Sequence, residues 1–273
     1  MGHILFHEIQ EEANQRSGAS GADLVSASNG SRSVRNQERA KSSLGEFTAG
    51  AKLHEPSAAD LKVVAFDYVL LGDYADADKW LTRMLAWTPN DADGWYYLGR
   101  AKYTENRFAE AVDAFERGLK LSPANVKFED NLGLAYAGLN RTNEALAAYK
   151  TAIEWQSQST PKSAAPFIDI ADLLLDQSNP ADAVDYLQQA LAIAPNDSKA
   201  HELMGKAYFR LDDLPKAQAE LEHALQLAPQ DKNVHCMLAP IFRKQRQTEK
   251  AKFESERCSS LAGSNSIAET PRP

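Results

Sequence analysis

One apolar helical run after another along this chain closes on a proline: Pro89, Pro123, Pro195 and Pro229, with the first two and the last two each 34 residues apart. A period of 34 is the length of a repeated helix pair. Aligned on these prolines, the chain divides into six units, 58–91, 92–125, 126–159, 164–197, 198–231 and a degenerate 232–265, with Thr160 to Ser163 inserted after the third. In the first helix of each unit the seventh and eighth positions set a large residue beside a small one: Val64-Ala65, Leu98-Gly99, Leu132-Gly133, Ile170-Ala171, Met204-Gly205 and Leu238-Ala239. In the second helix a small residue recurs at position twenty (Ala77, Ala111, Ala145, Ala183, Ala217, Ala251). A large one follows four later (Leu81, Phe115, Tyr149, Leu187, Leu221), failing only at Ser255. That spacing puts knob and gap on one helical face.

Helix starts give an independent check on the phase, because the first N–H groups of a helix need side-chain acceptors. The residues just before the six units are Ser57, Asp91, Asn125, Ser163, Asp197 and Asp231, all favoured caps. Pro180 and Pro215 fall near the start of second helices, where a missing N–H does least harm.

These residues closely resemble the tetratricopeptide repeat family. Trp95-x-x-Leu98-Gly99, Ala111-x-x-x-Phe115 and Pro123 reproduce its signature in the second unit, and Phe167, Ile170, Ala171, Leu174, Ala183, Leu187, Ala190 and Pro195 do so in the fourth. The resemblance implies an all-α fold, a right-handed superhelical solenoid of antiparallel helix pairs. Lys102, where a large apolar residue is usual, and Ser157, in place of a terminal proline, depart from the pattern. Ser157 and the insertion together predict a looser joint between the third and fourth units.

The ends read differently. Residues 1–39, poor in core formers and rich in Ser, Asn, Gly, Gln and charge from residue 8 onward, predict a disordered arm, and 266–273 a disordered tail. Residues 40–57 predict a capping helix or half-repeat, with Ser43, Phe47 and Gly50 in the small, large and small places. Pro240 inside the first helix of the sixth unit predicts a kink or a late start there. The apolar Leu238, Ile241 and Phe242 of that unit could support end-to-end self-association.

Charge narrows the partners. The chain carries a formal −8, and residues 58–231 hold 27 acidic against 16 basic side chains while 232–257 hold 7 basic against 3 acidic. An acidic array with a basic end is not built to neutralise phosphates, so nucleic acid is not expected. No apolar stretch approaches a membrane span, and no signal for export is legible near Met1, which points to the cytoplasm, or to export if a natural leader is missing. The two cysteines, Cys236 and Cys258, lie in opposite helices of the sixth unit. Their expected orientations argue against a bridge, and the pattern leaves open whether they are free thiols.

Candidate chemistry is sparse. His201-Glu202 begins like a zinc-protease motif, but Gly205 takes the place of the second His. His201 and His235 share position four of adjacent units, with Leu61, Trp95, Glu129 and Phe167, which is a packing site. Residues 90–94 look like part of a calcium loop, yet Pro89 and Arg100 occupy its first and twelfth positions. No phosphate-cradling loop or nucleophile elbow is present. The chain is expected to be non-catalytic, with no cofactor and no metal.

In the family, positions two, five, nine, twelve and thirteen of the first helices line a concave groove. Carried over residue by residue, that pattern implies a partner-binding set of Lys62, Tyr96, Arg100, Tyr103, Lys127, Lys206, Phe209 and Arg210, within a wider lining that includes Phe66, Asp130, Ile168, Asp172, Asp176, Glu202 and Lys244. Tyr and Arg combine contact area with directional hydrogen bonds. The clamp by which some members hold chaperone tails is not reproduced, because Phe66 and Tyr97 stand in place of its asparagines and Asn131 in place of its arginine. The expected role is an adaptor or scaffold that holds a peptide or partner helix. The alternatives are a self-associating assembly factor and, with nothing outside the repeats to be a catalytic domain, a regulatory fragment of an enzyme.

Overall fold

The structure is a computed structural model that describes residues 25–157 and 162–264, with side chains from 34–157 and 162–262. Residues 1–24, 158–161 and 265–273, which include most of the expected arm, part of the insertion and the tail, lie outside the described residues. Among the described residues there are thirteen helices and no strand, and the chain divides into two compact units, Met1–Trp155 and Gln156–Pro273.

The first unit contains α1 (Val25–Gly50), α2 (Ala58–Leu71), α3 (Tyr74–Trp87), α4 (Ala92–Thr104), α5 (Phe108–Leu121), α6 (Val126–Gly138) and α7 (Thr142–Gln156), whose last residue passes the boundary. The second contains α8 (Ala165–Asp176), α9 (Pro180–Ile193), α10 (Ser198–Arg210), α11 (Leu214–Leu227), α12 (Lys232–Lys244) and α13 (Thr248–Ser264). Consecutive helices pack in pairs joined by two- to three-residue turns.

The large-beside-small rule is a packing rule. The position-twenty alanines Ala77, Ala111, Ala145, Ala183 and Ala217 are fully buried, as are Leu81, Phe115, Leu187 and Leu221 four residues on. In three pairs the large side chain lies over the glycine at position eight of its own pair. A Cβ added at Gly99, Gly133 or Gly205 would collide with Phe115, Tyr149 or Leu221 respectively. Only glycine permits that approach.

Five of the six expected caps hold. Ser57, Asp91, Asn125, Asp197 and Asp231 each precede a helix and accept a backbone N–H with the side chain; Ser57 and Asp60 close a reciprocal capping box. At α8 the cap position moves to Ala164, which has no side-chain acceptor. Pro166 stands in the first turn, and Ser163 Oγ accepts the Ala165 N–H from one residue further out.

Three expectations are corrected. Residues 25–39, assigned to a disordered arm, are the first half of α1. Ala40 and Ser43 of this helix are buried, and once that seed exists the helix-favouring Arg35, Gln37, Glu38 and Arg39 extend it at small cost. Of the two outcomes expected of Pro240, the late start does not occur: α12 starts at Lys232, and Leu238, Ala239, Ile241 and Phe242 around the proline are all buried, which offsets a penalty of about 3 kcal/mol. That burial also withdraws Leu238, Ile241 and Phe242 as an exposed self-association surface. Finally, Cys236 and Cys258 form a disulfide, their Cα atoms 5.0 Å apart across the α12–α13 pair.

The departure at Lys102 is satisfied by charge. Its ammonium is buried beside Asp78 Oδ2 at 2.7 Å and Glu110 Oε2 at 3.2 Å, and Arg107 reaches the same two carboxylates. Hydrogen bonds from Arg107 and Lys102 hold the Glu110 carboxyl down at about 2.

Candidate functional site

In the first unit the first helices α2, α4 and α6 are successive neighbours, and their common face carries five of the eight sequence-named residues. Lys62, half-buried on α2, donates to Asp91 Oδ2 at 2.7 Å, where Asp91 is already the cap of α4. It also lies 5.7 Å from the centre of the Phe66 ring. Lys62 is therefore a strut between one helix pair and the next. Tyr96 is half-buried, edge-on to Tyr97 at 5.4 Å and to Phe128 of α6 at 5.5 Å. Burial pushes the neighbouring Tyr97 hydroxyl above its ordinary range.

Arg100 is exposed one turn further along α4, its guanidinium 6.0 Å from the Tyr96 ring centre. Tyr103, half-buried, packs against Phe108 of α5 at 5.4 Å. Lys127 is exposed at the start of α6, where its backbone N–H donates to Asn125 Oδ1 at 3.1 Å. Neither the Arg100 nor the Lys127 side chain has a carboxylate partner among the described residues.

The second unit places its three residues differently. Lys206 of α10 bridges Asp172 Oδ1 at 3.2 Å and Asp176 Oδ1 at 3.6 Å on α8. Arg210 turns its guanidinium back to donate to the Leu175 carbonyl. Phe209 is half-buried under the Lys244 ammonium at 5.1 Å, and Lys244 is itself paired with Asp212 at 2.7 Å. Next to this cluster, burial and the charge of Asp172 push the Asp169 carboxyl up to about 7. Its cations are thus consumed internally.

Position five is not a groove position in this chain. Asp130, Ile168 and Glu202, all at that place, are buried. The reason is visible at Lys62 and Tyr96: a side chain at position five points to the next first helix, reaching Asp91 in one case and Phe128 in the other. Position two is exposed in every unit, as at Lys127, position thirteen in most, as at Arg210, and position nine only at Arg100.

Position four is a strut as well. Trp95 Nε1 donates to the Pro89 carbonyl at 2.8 Å, and His201 Nε2 and His235 Nε2 face the Pro195 and Pro229 carbonyls at 3.0 and 3.3 Å. Each histidine also meets a second-helix carboxylate through Nδ1, Glu220 for His201 and Glu254 for His235. Both rings are buried, as the packing reading expects. Among the described residues no three His, Cys, Asp or Glu side chains are placed to hold a metal ion, and no helix is long and apolar enough to cross a membrane.

Two clefts among the described residues lie away from the α2–α4–α6 cations. One of about 240 Å³ between α1 and α2 is lined by Ser43, Phe47, Val63 and Val64 among others. Another of about 510 Å³ lies among α3, α4 and α5, where Arg117 stacks 4.9 Å from the Trp95 ring. What the exposed first-helix face offers is a cation beside an aromatic ring, which suits recognition of carboxylates and apolar groups together.

Comparison with known proteins bears on the fold. Protein FlbA of Caulobacter vibrioides is 25% identical over 194 residues, 58% of this chain and 32% of FlbA. Protein O-mannosyl-transferase TMTC3 of Mus musculus is 27% identical over 140 residues, 47% of this chain and 15% of that protein. The chain thus spans about a third or less of the length of these relatives. Among solved structures, the APC/C hetero-tetramer Cut9–Hcn1 superposes with a TM-score of 0.71 at 15% identity, covering 82% of this chain and 44% of that one. Family models described as tetratricopeptide repeat match residues 92–125, 126–196 and 174–241. Together these matches run unbroken over more than half of the sequence, and the chain belongs to the tetratricopeptide repeat family.

Proposed function

We propose that this chain is a non-catalytic scaffold that holds a carboxylate-bearing peptide on the α2–α4–α6 face of its first unit. Proteins of this family generally mediate contacts between proteins, and the site named here is the finer reading. The observation that carries it is the contrast among the five sequence-named cations. Lys62, Lys206 and Arg210 are tied to groups of the protein itself, whereas Arg100 and Lys127 are exposed without a carboxylate partner among the described residues. Tyr96 and Tyr103 lend them aromatic surface, and Tyr96 is itself fixed by Tyr97 and Phe128, so little order is lost on binding.

A displayed library of random peptides tests this. The wild type is expected to enrich sequences with Asp or Glu next to apolar residues, with binding that weakens as salt rises. A folded Arg100→Ala/Lys127→Ala variant should lose them. Enrichment of the same peptides by both proteins would refute the site and move attention to the outer faces of the second helices.

A further inference from the structure

The last helix pair lacks the apolar contact that closes the others. α11 gives three residues, Ala217, Leu221 and Ala224, to the buried cluster it shares with α12. α13 gives that cluster one, Ala251, because Ser255 stands where the large side chain belongs and Phe253 is 56% exposed. Ala251 is the one side chain that these seventeen residues of helix give to that buried apolar cluster. Further links tie α13 to α12: the buried His235–Glu254 contact, the hydrogen bond from Arg243 Nη2 to Ser255 Oγ at 3.3 Å, the Lys250 ammonium 5.2 Å from the Phe242 ring centre and the Cys236–Cys258 disulfide. Cys258 occupies position twenty-seven, the place of the fully buried Ala190 in α9 and Ala224 in α11. Cys236 occupies position five, which reaches a neighbouring helix at Lys62 and at Tyr96.

We propose that the Cys236–Cys258 disulfide replaces the missing large side chain, so that α13 stays docked only when the pair is oxidised, and that the chain works in an oxidising, extracytoplasmic compartment. The export alternative is thereby taken over the cytoplasmic one. The two cysteines are 22 residues apart, and closing such a loop removes much of the freedom of an undocked α13. Formation needs a disulfide donor. One cysteine thiolate attacks the donor disulfide to give a mixed disulfide, the second thiolate displaces the donor from it, and two donor thiols leave with the two electrons and the two protons. The cytosolic thiol pool drives that exchange backwards. Both cysteines are half-buried rather than sealed, so a small reductant reaches them.

The protein isolated from its native cells with immediate alkylation is expected to show no free thiol and to fractionate with extracytoplasmic markers. In the full chain, reduction should speed amide exchange across 248–264 roughly a hundredfold and leave α10 and α11 unchanged. Ser255→Leu in a Cys236→Ser/Cys258→Ser background should return that exchange to slow, since it restores the large residue. Two alkylated cysteines in the native protein, or a cytoplasmic fraction, would overturn the compartment. Exchange in α13 indifferent to reductant, or no rescue by Ser255→Leu, would overturn the staple.

Discussion

Asp67 sits in the middle of α2 with 5% of its surface exposed, among Leu61, Val64, Ala65 and Phe66. Its Oδ2 has no hydrogen-bond partner, and desolvation pushes its carboxyl from the ordinary 3.8 up to about 6, with only the hydroxyl of Ser43 on α1 pulling the other way. The native state therefore holds this proton more tightly than the unfolded chain does. Stability from the protonated form is full below about pH 4 and is lost as pH rises through about 6. The gap between the two values corresponds to about 3 kcal/mol. Asp67→Asn keeps the shape and removes the charge. Above pH 7 the variant should be more stable than wild type by up to that amount, and near pH 4 the two should coincide. Because unfolding of repeat arrays need not be two-state, the comparison is of denaturation midpoints at each pH, with the Asn variant subtracting the contribution of Asp169, which also titrates high. Parallel pH profiles for the two proteins from pH 4 to 8 would refute the reasoning.

Other consequences can be measured by thermal or chemical unfolding. Ala183→Asp forces a charge into a site with 0% exposure and should cost on the order of 4 kcal/mol or more, whereas Arg100→Ala should leave the midpoint unchanged; equal losses would show the packing register to be wrong. Gly133→Val should destabilise severely, because its side chain meets the Tyr149 ring, and a Tyr149→Ala second change should recover part of the loss. Arg246 is held at φ 61°, so Arg246→Gly should raise stability by about 1 kcal/mol, while Asn140→Gly at the equivalent turn should do much less.

Those turns show where the sequence was legible and where it was not. The period, the caps and the small–large pairing were readable because each leaves a residue type at a fixed spacing. Position fifteen, by contrast, adopts the left-handed conformation in every turn within a pair, at Gly72, Asn106, Asn140, Ser178, Asp212 and Arg246. Four of these are residues suited to it, but Ser178 and Arg246 are not, so no uniform letter marks the position. Lys62, Lys206 and Arg210 read as binding cations because a sequence does not show which carboxylates come near them. Asp91, Asp172 and Asp176 do so only once the helices stack, and Arg210 is claimed by a carbonyl that no side-chain pattern records. The disulfide escaped for a related reason: residue spacing does not show that positions five and twenty-seven of this pair come within 5.0 Å between Cα atoms.

The glycine at position eight and the ring or branched side chain above it belong to the same helix pair, as with Gly99 and Phe115. The second, third and fifth pairs thus each carry an internal lock and key, which bears on how chain length can be edited. A second lock runs between pairs, at Gly94 beneath Met84 and Gly118 beneath Phe128, so excising one whole period such as residues 92–125 removes one internal knob with its socket but sets Met84 against Phe128. Excising half a period leaves a bulky side chain with no place to go. An array built this way can be lengthened or shortened in steps of 34 only where the two residues that newly meet are again a large one and a small one.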